Sequence, residues 1–166
     1  AVKAKDVKEE FGNKIKYILD GGACAIGIES TIVNLIGRPS ILRLGGLDIL
    51  KIQKTLGFKI SISINPKKKI APGQSRLHYS PGIPLRMNVT KPKNDEAFII
   101  IKRKKTKLKN YFYLTNKNNL DDAAKNLYSC LRNIKNEGYK SIAVEKIPNI
   151  GLGKAINDRL RRASKY

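Results

Sequence analysis

The chain of 166 residues holds one histidine, two cysteines and only 13 acidic residues, and each shortage closes off a class of chemistry. Cys24 and Cys130 lie far apart and fit no CxxC or Cys/His spacing, so neither a zinc module nor a disulfide framework is encoded. Both read as small core residues in a reducing compartment. His78 has no Ser/His/Asp or Cys/His partner set, which removes it as a general base. Glu29 has no second carboxylate placed for acid–base work, so pairing with a cation is its expected role. No apolar run approaches the roughly 18 residues of a membrane span, and no apolar leader follows a basic start. A soluble cytoplasmic protein is expected. The first residue is Ala1 rather than Met, within a stretch that reads as a helix already under way, which is the expectation for part of a longer chain.

Basic residues, by contrast, are plentiful: 34 Lys and Arg give a formal charge of +21. Such an excess can serve a polynucleotide or a small anionic ligand, or simply follow from biased composition. The lysines are spread among Asn and Ile rather than gathered on one helix face, which favours composition. Only PKKKI at Pro66–Ile70 and RKK at Arg103–Lys105 have the density of a polyanion footprint. With 41% hydrophobic residues the chain can bury a core and is globular.

Three sections follow from the pattern. Residues 1–58 predict a helix to about Glu10, a short strand at Lys16–Leu19 and a strand over Gly27–Ile36. A hairpin-like neighbour follows at Ile41–Leu44, then a helix capped by Asp48 and ended by Gly57. This section buries little surface alone and is expected to pack against further chain. Residues 59–85 carry Pro66, Pro72, Pro81 and Pro84 with Gly73 and Gly82, a spacing that excludes a helix and reads as a linker. Residues 86–166 predict strands at Ala97–Ile101, Tyr111–Thr115 and Ser141–Glu145. A helix with one face at Leu120, Ala124, Leu127, Leu131 and Ile134 stops at Gly138, and a last helix spans Leu152–Ala163. That order argues for a small parallel α/β layer with right-handed crossovers. NIGLGKAIND lacks the third glycine of a phosphate loop and reads as a loop and helix start.

The candidate site comes from two stretches. GIESTIVNL at Gly27–Leu35 sets Ser30 and Thr31, with hydroxyls and backbone N–H groups, at the mouth of a strand; SILRLGG puts Arg43 between an apolar run and two glycines that admit a ligand or another backbone. In APGQSRLHYSPGIPL, Arg76 offers a fork of donors, while His78 and Tyr79 offer a ring donor and an aromatic face. Together they predict a site for a nucleotide and a small carboxylate.

These motifs, with VEKIPNIGLGKAINDRLRRAS at Val144–Ser164, resemble the threonylcarbamoyl-AMP synthases in their long two-domain form, in order and over essentially the whole chain. The resemblance implies an α/β fold: residues 1–58 as the C-terminal part of a YrdC-like twisted-sheet domain, 59–85 as an interdomain linker or lid, and 86–166 as a Rossmann-like accessory domain. It implies formation of L-threonylcarbamoyl-adenylate and pyrophosphate from L-threonine, bicarbonate and ATP with Mg²⁺, and no protein nucleophile. A partner transferase would then modify tRNA. Ser30 would contact threonine, and Arg43 and Tyr79 the ATP or adenylate, with Thr31, Arg76 and His78 as lesser candidates. The family's upstream Lys-x-Arg and Ser-x-Asn motifs have no counterpart in this sequence, so it would be the C-terminal portion and inactive alone. A basic RNA-binding module and a non-catalytic assembly or regulatory domain are the alternative readings.

Overall fold

The computed structural model describes residues 1–66, 69–75, 79–104 and 108–164. Helix α1 (Ala4–Phe11) opens the chain, and the Asp6 carboxylate accepts from the backbone N–H groups of Val2 and Lys3 at 2.8 and 3.1 Å. The strand expected at Lys16–Leu19 is absent. Tyr17 and Leu19 are 88% and 98% exposed there, and without a pairing edge or a covered face a short apolar run has nothing to hold it extended.

The strand expected over Gly27–Ile36 contracts to β1 (Ile32–Asn34), antiparallel to β2 (Ser40–Arg43), which in turn runs parallel to β3 (Ser61–Ile62). Residues 27–31 are kept out of the ladder by other partners. The Glu29 carbonyl accepts from Gly46 N, and Gly27, at φ +77°, lies so close to the Lys125 backbone that a Cβ would fall 2.4 Å from its Cα. Helix α2 (Ile49–Leu56) has the expected ends: Asp48 Oδ1 accepts from Leu50 N at 3.0 Å, and Gly57 closes it in the left-handed conformation.

No helix occurs among the described residues of 59–85. This stretch is nevertheless not free of the sheets, because it contributes β3 to the first and β4 (Leu85–Arg86) to the second. The second sheet adds β5 (Ala97–Lys102), β6 (Tyr111–Thr115) and β7 (Ile142–Val144) in the order β4-β7-β5-β6, every pair parallel. Ala97 through Ile101 are all buried, as a parallel strand covered on both faces requires. Helix α3 (Leu120–Asn136) joins β6 to β7, capped by Asn119 and buried along Ala124, Leu127, Leu131 and Ile134. The described residues between β5 and β6 hold no helix.

Helix α4 (Gly153–Ala163) ends the described chain, and its start agrees with a packed loop rather than a phosphate cradle. A Cβ at Gly153 would sit 2.0 Å from the Pro148 carbonyl oxygen. One apolar core runs from Ile28, Ile41 and Leu44 through Ile99 and Val144 to Ile156 and Leu160, so the two sheets share it across α4. Cys130 belongs to this core, whereas Cys24, expected in it, is exposed because its segment pairs only at its edge, through Cys24 N to the Val2 carbonyl.

Candidate functional site

Arg43 ends β2 opposite Ile32, where a register irregularity turns β1 and brings Ser30 within reach. Its guanidinium binds the residue twice: Nε donates to the Ser30 carbonyl at 3.0 Å and Nη2 to Ser30 Oγ at 3.1 Å, while Nη1 points to the Pro72 carbonyl at 3.5 Å. Because Oγ accepts from Arg43, its own hydrogen is left to donate outward. The arrangement therefore aims a hydroxyl donor and a cation at one place, which suits an anion.

Tyr79 meets the same place from the far side of the segment. At Gly73, φ +83°, an added Cβ would lie 2.8 Å from the Tyr79 hydroxyl and 3.0 Å from Arg43 Cδ, so both side chains close on the backbone that glycine leaves bare. Gln74 fixes this turn from within: buried, it accepts from Ile70 N and Ala71 N and donates to the Leu42 and Ser63 carbonyls.

Beneath Tyr79 lies a group that the sequence did not announce. Arg159, on α4 and 1% exposed, donates Nε to Glu29 Oε2 at 2.9 Å, Nη2 to the Leu44 carbonyl at 2.8 Å and Nη1 to Asp158 Oδ2 at 3.0 Å. The face of its guanidinium lies 5.0 Å from the Tyr79 ring centre, and that ring stacks on Tyr128 at 5.7 Å. Tyr128 Oη completes the cluster by donating to the Glu29 carboxylate at 3.2 Å. Glu29 thus has the cation expected for it. Burial works to raise its carboxyl, but Arg159 and the hydrogen bonds outweigh burial and hold it below the ordinary value. Burial pushes the Tyr79 phenol up to about 12, with Arg159 opposing and Glu29 adding to the rise, so it is a neutral hydroxyl at physiological pH.

Arg162, one turn on, repeats the device. It donates to Asp158 Oδ2 and to the Ile64 and Ser75 carbonyls, so α4 grips the 59–85 stretch at two points. Arg159, Arg162 and Asp158 were legible only as members of the DRLRR tail; charged residues at adjacent and i,i+3/i+4 positions ordinarily read as a solvated face.

The remaining predicted residues divide. Thr31 is brought beside Ser30 but its hydroxyl is used internally, donating to the Leu47 carbonyl at 2.7 Å and accepting from Leu47 N at 3.2 Å. Arg76 and His78 lie outside the described residues, as do Lys67, Lys68 and Lys105 of the two basic runs. A cavity of about 770 Å³ opens next to Tyr79, lined by Glu29, Ser80, Tyr128, Arg132 and Lys135 with Glu9 across from them; Ser30 and Arg43 do not line it. The described residues contain no group of three His, Cys, Asp or Glu side chains suited to a metal, and Glu29 is committed to Arg159.

Residues 46–165 match the family described as threonylcarbamoyl-AMP synthase, C-terminal domain, and residues 1–45 match the Sua5/YciO/YrdC family described as telomere recombination. The threonylcarbamoyl-AMP synthase of Pyrococcus abyssi is 32% identical, aligned over 98% of this chain and 53% of its own length. That of Bacillus subtilis is 28% identical over 98% and 52%, and that of Schizosaccharomyces pombe 29% identical over 97% and 48%. The crystal structure of P. abyssi Sua5 complexed with L-threonine superposes with a TM-score of 0.84 at 30% identity, covering 99% of this chain and 54% of that one. The chain spans about half the length of the curated relatives it matches.

Proposed function

The chain belongs to the threonylcarbamoyl-AMP synthase family, and from that membership we propose that it serves the synthesis of L-threonylcarbamoyl-adenylate from L-threonine, bicarbonate and ATP. The observation that carries the reading is that Arg43 meets Ser30 on one side and Tyr79 across Gly73 on the other, in a protein whose relative is solved with L-threonine. In finer terms, residues 59–85 act as a linker that brings Tyr79 over the site, and residues 86–166 form a Rossmann-like accessory domain behind it. The product passes to a transferase that modifies tRNA in the cytoplasm.

In this reading the Ser30 hydroxyl donates to threonine, while Arg43, held by Ser30 and Pro72, faces the phosphates. The threonine carbamate attacks the α-phosphorus and pyrophosphate departs, so the demand on the protein is to hold two anions in line and to balance charge on the phosphates. Neither task needs a protein nucleophile. Tyr79, neutral and stacked, supplies an aromatic face and a hydroxyl at the nucleotide and excludes water from the mixed anhydride. Mg²⁺ would enter on the phosphates of ATP, with no protein ligand assigned to it.

The test is pyrophosphate release dependent on ATP, threonine and bicarbonate. The 166-residue chain should release none alone and should do so when joined to the half that precedes the matched region in its relatives. Release by the chain alone overturns the division of labour, and silence of the joined protein overturns the function.

A further inference from the structure

Resting on the assignment of Ser30, Arg43 and Tyr79 as ligand contacts, we infer that Arg159 of α4 is the positioning residue that sets all three. It touches the neighbours of each. Glu29, bound by Arg159 Nε at 2.9 Å, immediately precedes Ser30; the Leu44 carbonyl, bound by Nη2 at 2.8 Å, immediately follows Arg43; and the Tyr79 ring lies on the guanidinium face at 5.0 Å. A planar fork can hold two in-plane acceptors and an aromatic face at once, which an ammonium cannot. The third in-plane direction is taken by Asp158, whose Oδ2 accepts Arg159 Nη1 at 3.0 Å and also Arg162 Nε at 3.1 Å; Arg162 in turn holds the Ile64 and Ser75 carbonyls.

The chemistry favours orientation over mere cohesion. Sealing a guanidinium to 1% exposure is expensive, and well-packed apolar side chains commonly stabilise such a position as well or better. What apolar residues cannot supply is a fixed direction for Glu29, Leu44 and Tyr79 together. Arg159 acts through these neighbours, and it makes the geometry of the ligand contacts depend on α4.

Arg159→Lys and Glu29→Gln separate this role from folding. In the 166-residue chain labelled on its tyrosine rings, Arg159→Lys should move the resonances of Tyr79 and Tyr128. Those of Tyr111 and Tyr113, which pack against the separate Phe98 cluster, should stay in place. Movement of all four would mean general unfolding, and no movement at Tyr79 would mean that Arg159 does not set it; either result overturns the inference. In the joined protein, Arg159→Lys and Glu29→Gln should each raise the KM for ATP on the order of tenfold, the weight of one charge-assisted contact. In a Tyr79→Ala background the same changes should add less, because the share carried by Tyr79 is gone while that through Glu29 and Leu44 remains. Equal effects in both backgrounds overturn positioning through Tyr79. An inactive wild-type joined protein overturns the functional reading instead, and the ring resonances alone then decide whether Arg159 sets Tyr79.

Discussion

Arg43 and Ser30 form one unit: Nη2 meets the serine Oγ at 3.1 Å and Nε the serine carbonyl at 3.0 Å. Assigning the arginine to the nucleotide and the serine to threonine makes their substitutions look independent, but the geometry couples them. Arg43→Ala should cost about 1.5–3 kcal/mol of transition-state binding and Ser30→Ala about 0.5–1.5 kcal/mol. The double variant should fall short of the sum by about 0.5 kcal/mol or more, since removing either partner already disorders the other. Michaelis constants for ATP and threonine across the four proteins measure this, and strict additivity would show that the pair does not act together.

Gly45 separates steric necessity from permissiveness. Its Cβ would fall 2.3 Å from the Glu29 carbonyl oxygen and 2.3 Å from the Ser30 carbonyl carbon, backbone atoms that cannot step aside. At Gly46 the nearest atom is Ile26 Cγ2 at 2.8 Å, the end of a side chain that is 49% exposed. Gly45→Ala should therefore lose about 3 kcal/mol, near the top of what overpacking costs, and Gly46→Ala less than about 1 kcal/mol. Urea midpoints of the two variants, taken side by side, would contradict this by coinciding.

Thr31 invites a similar separation of roles. Both hydrogen bonds of its hydroxyl go to the Leu47 backbone, tying the start of β1 to the loop before α2. Thr31→Val keeps the shape and should cost about 1 kcal/mol of stability, a modest sum because the pair is exposed. The KM for threonine should stay within about twofold; a large rise there with unchanged thermal stability would return Thr31 to the ligand.

Local chemistry made part of this legible and long-range contact withheld the rest. Asp48 and Gly57 marked α2 because a carboxylate cap and a left-handed glycine act within a few residues. The apolar run Ala97–Ile101 showed a fully covered parallel strand. Ser30 and Arg43 could be picked out, since glycines and an arginine in an apolar setting are unusual in themselves. Their hydrogen bonds could not be seen, and neither could Arg159, which lies 130 positions from Glu29. Lys16–Leu19 failed for the complementary reason: the apolar residues are there, but no strand in the described chain pairs with them.

The acid response of the cluster follows from Glu29. Burial would raise its carboxyl; Arg159, with hydrogen bonds from the backbone and Tyr79, more than offsets that and leaves the folded value below the ordinary 4.5. A carboxyl depressed by folding adds stability that is fully present above its unfolded value and drains away as pH falls through the lower folded one. Stability should hold from pH 7 to about 5 and fall below, with Arg159 losing one of its two carboxylate partners as Glu29 takes a proton. Asp6 and Glu96 are also depressed, the first despite burial through the Val2 and Lys3 backbone and Arg132, the second chiefly through the Arg86 hydrogen bond, so they supply part of the same slope. Glu29→Gln, already neutral, should start less stable at pH 7 and lose less on acidification, the two curves converging as Glu29 is protonated. Thermal midpoints of both proteins from pH 7 downward give the test, and parallel curves would mean that Glu29 is not held ionised by Arg159.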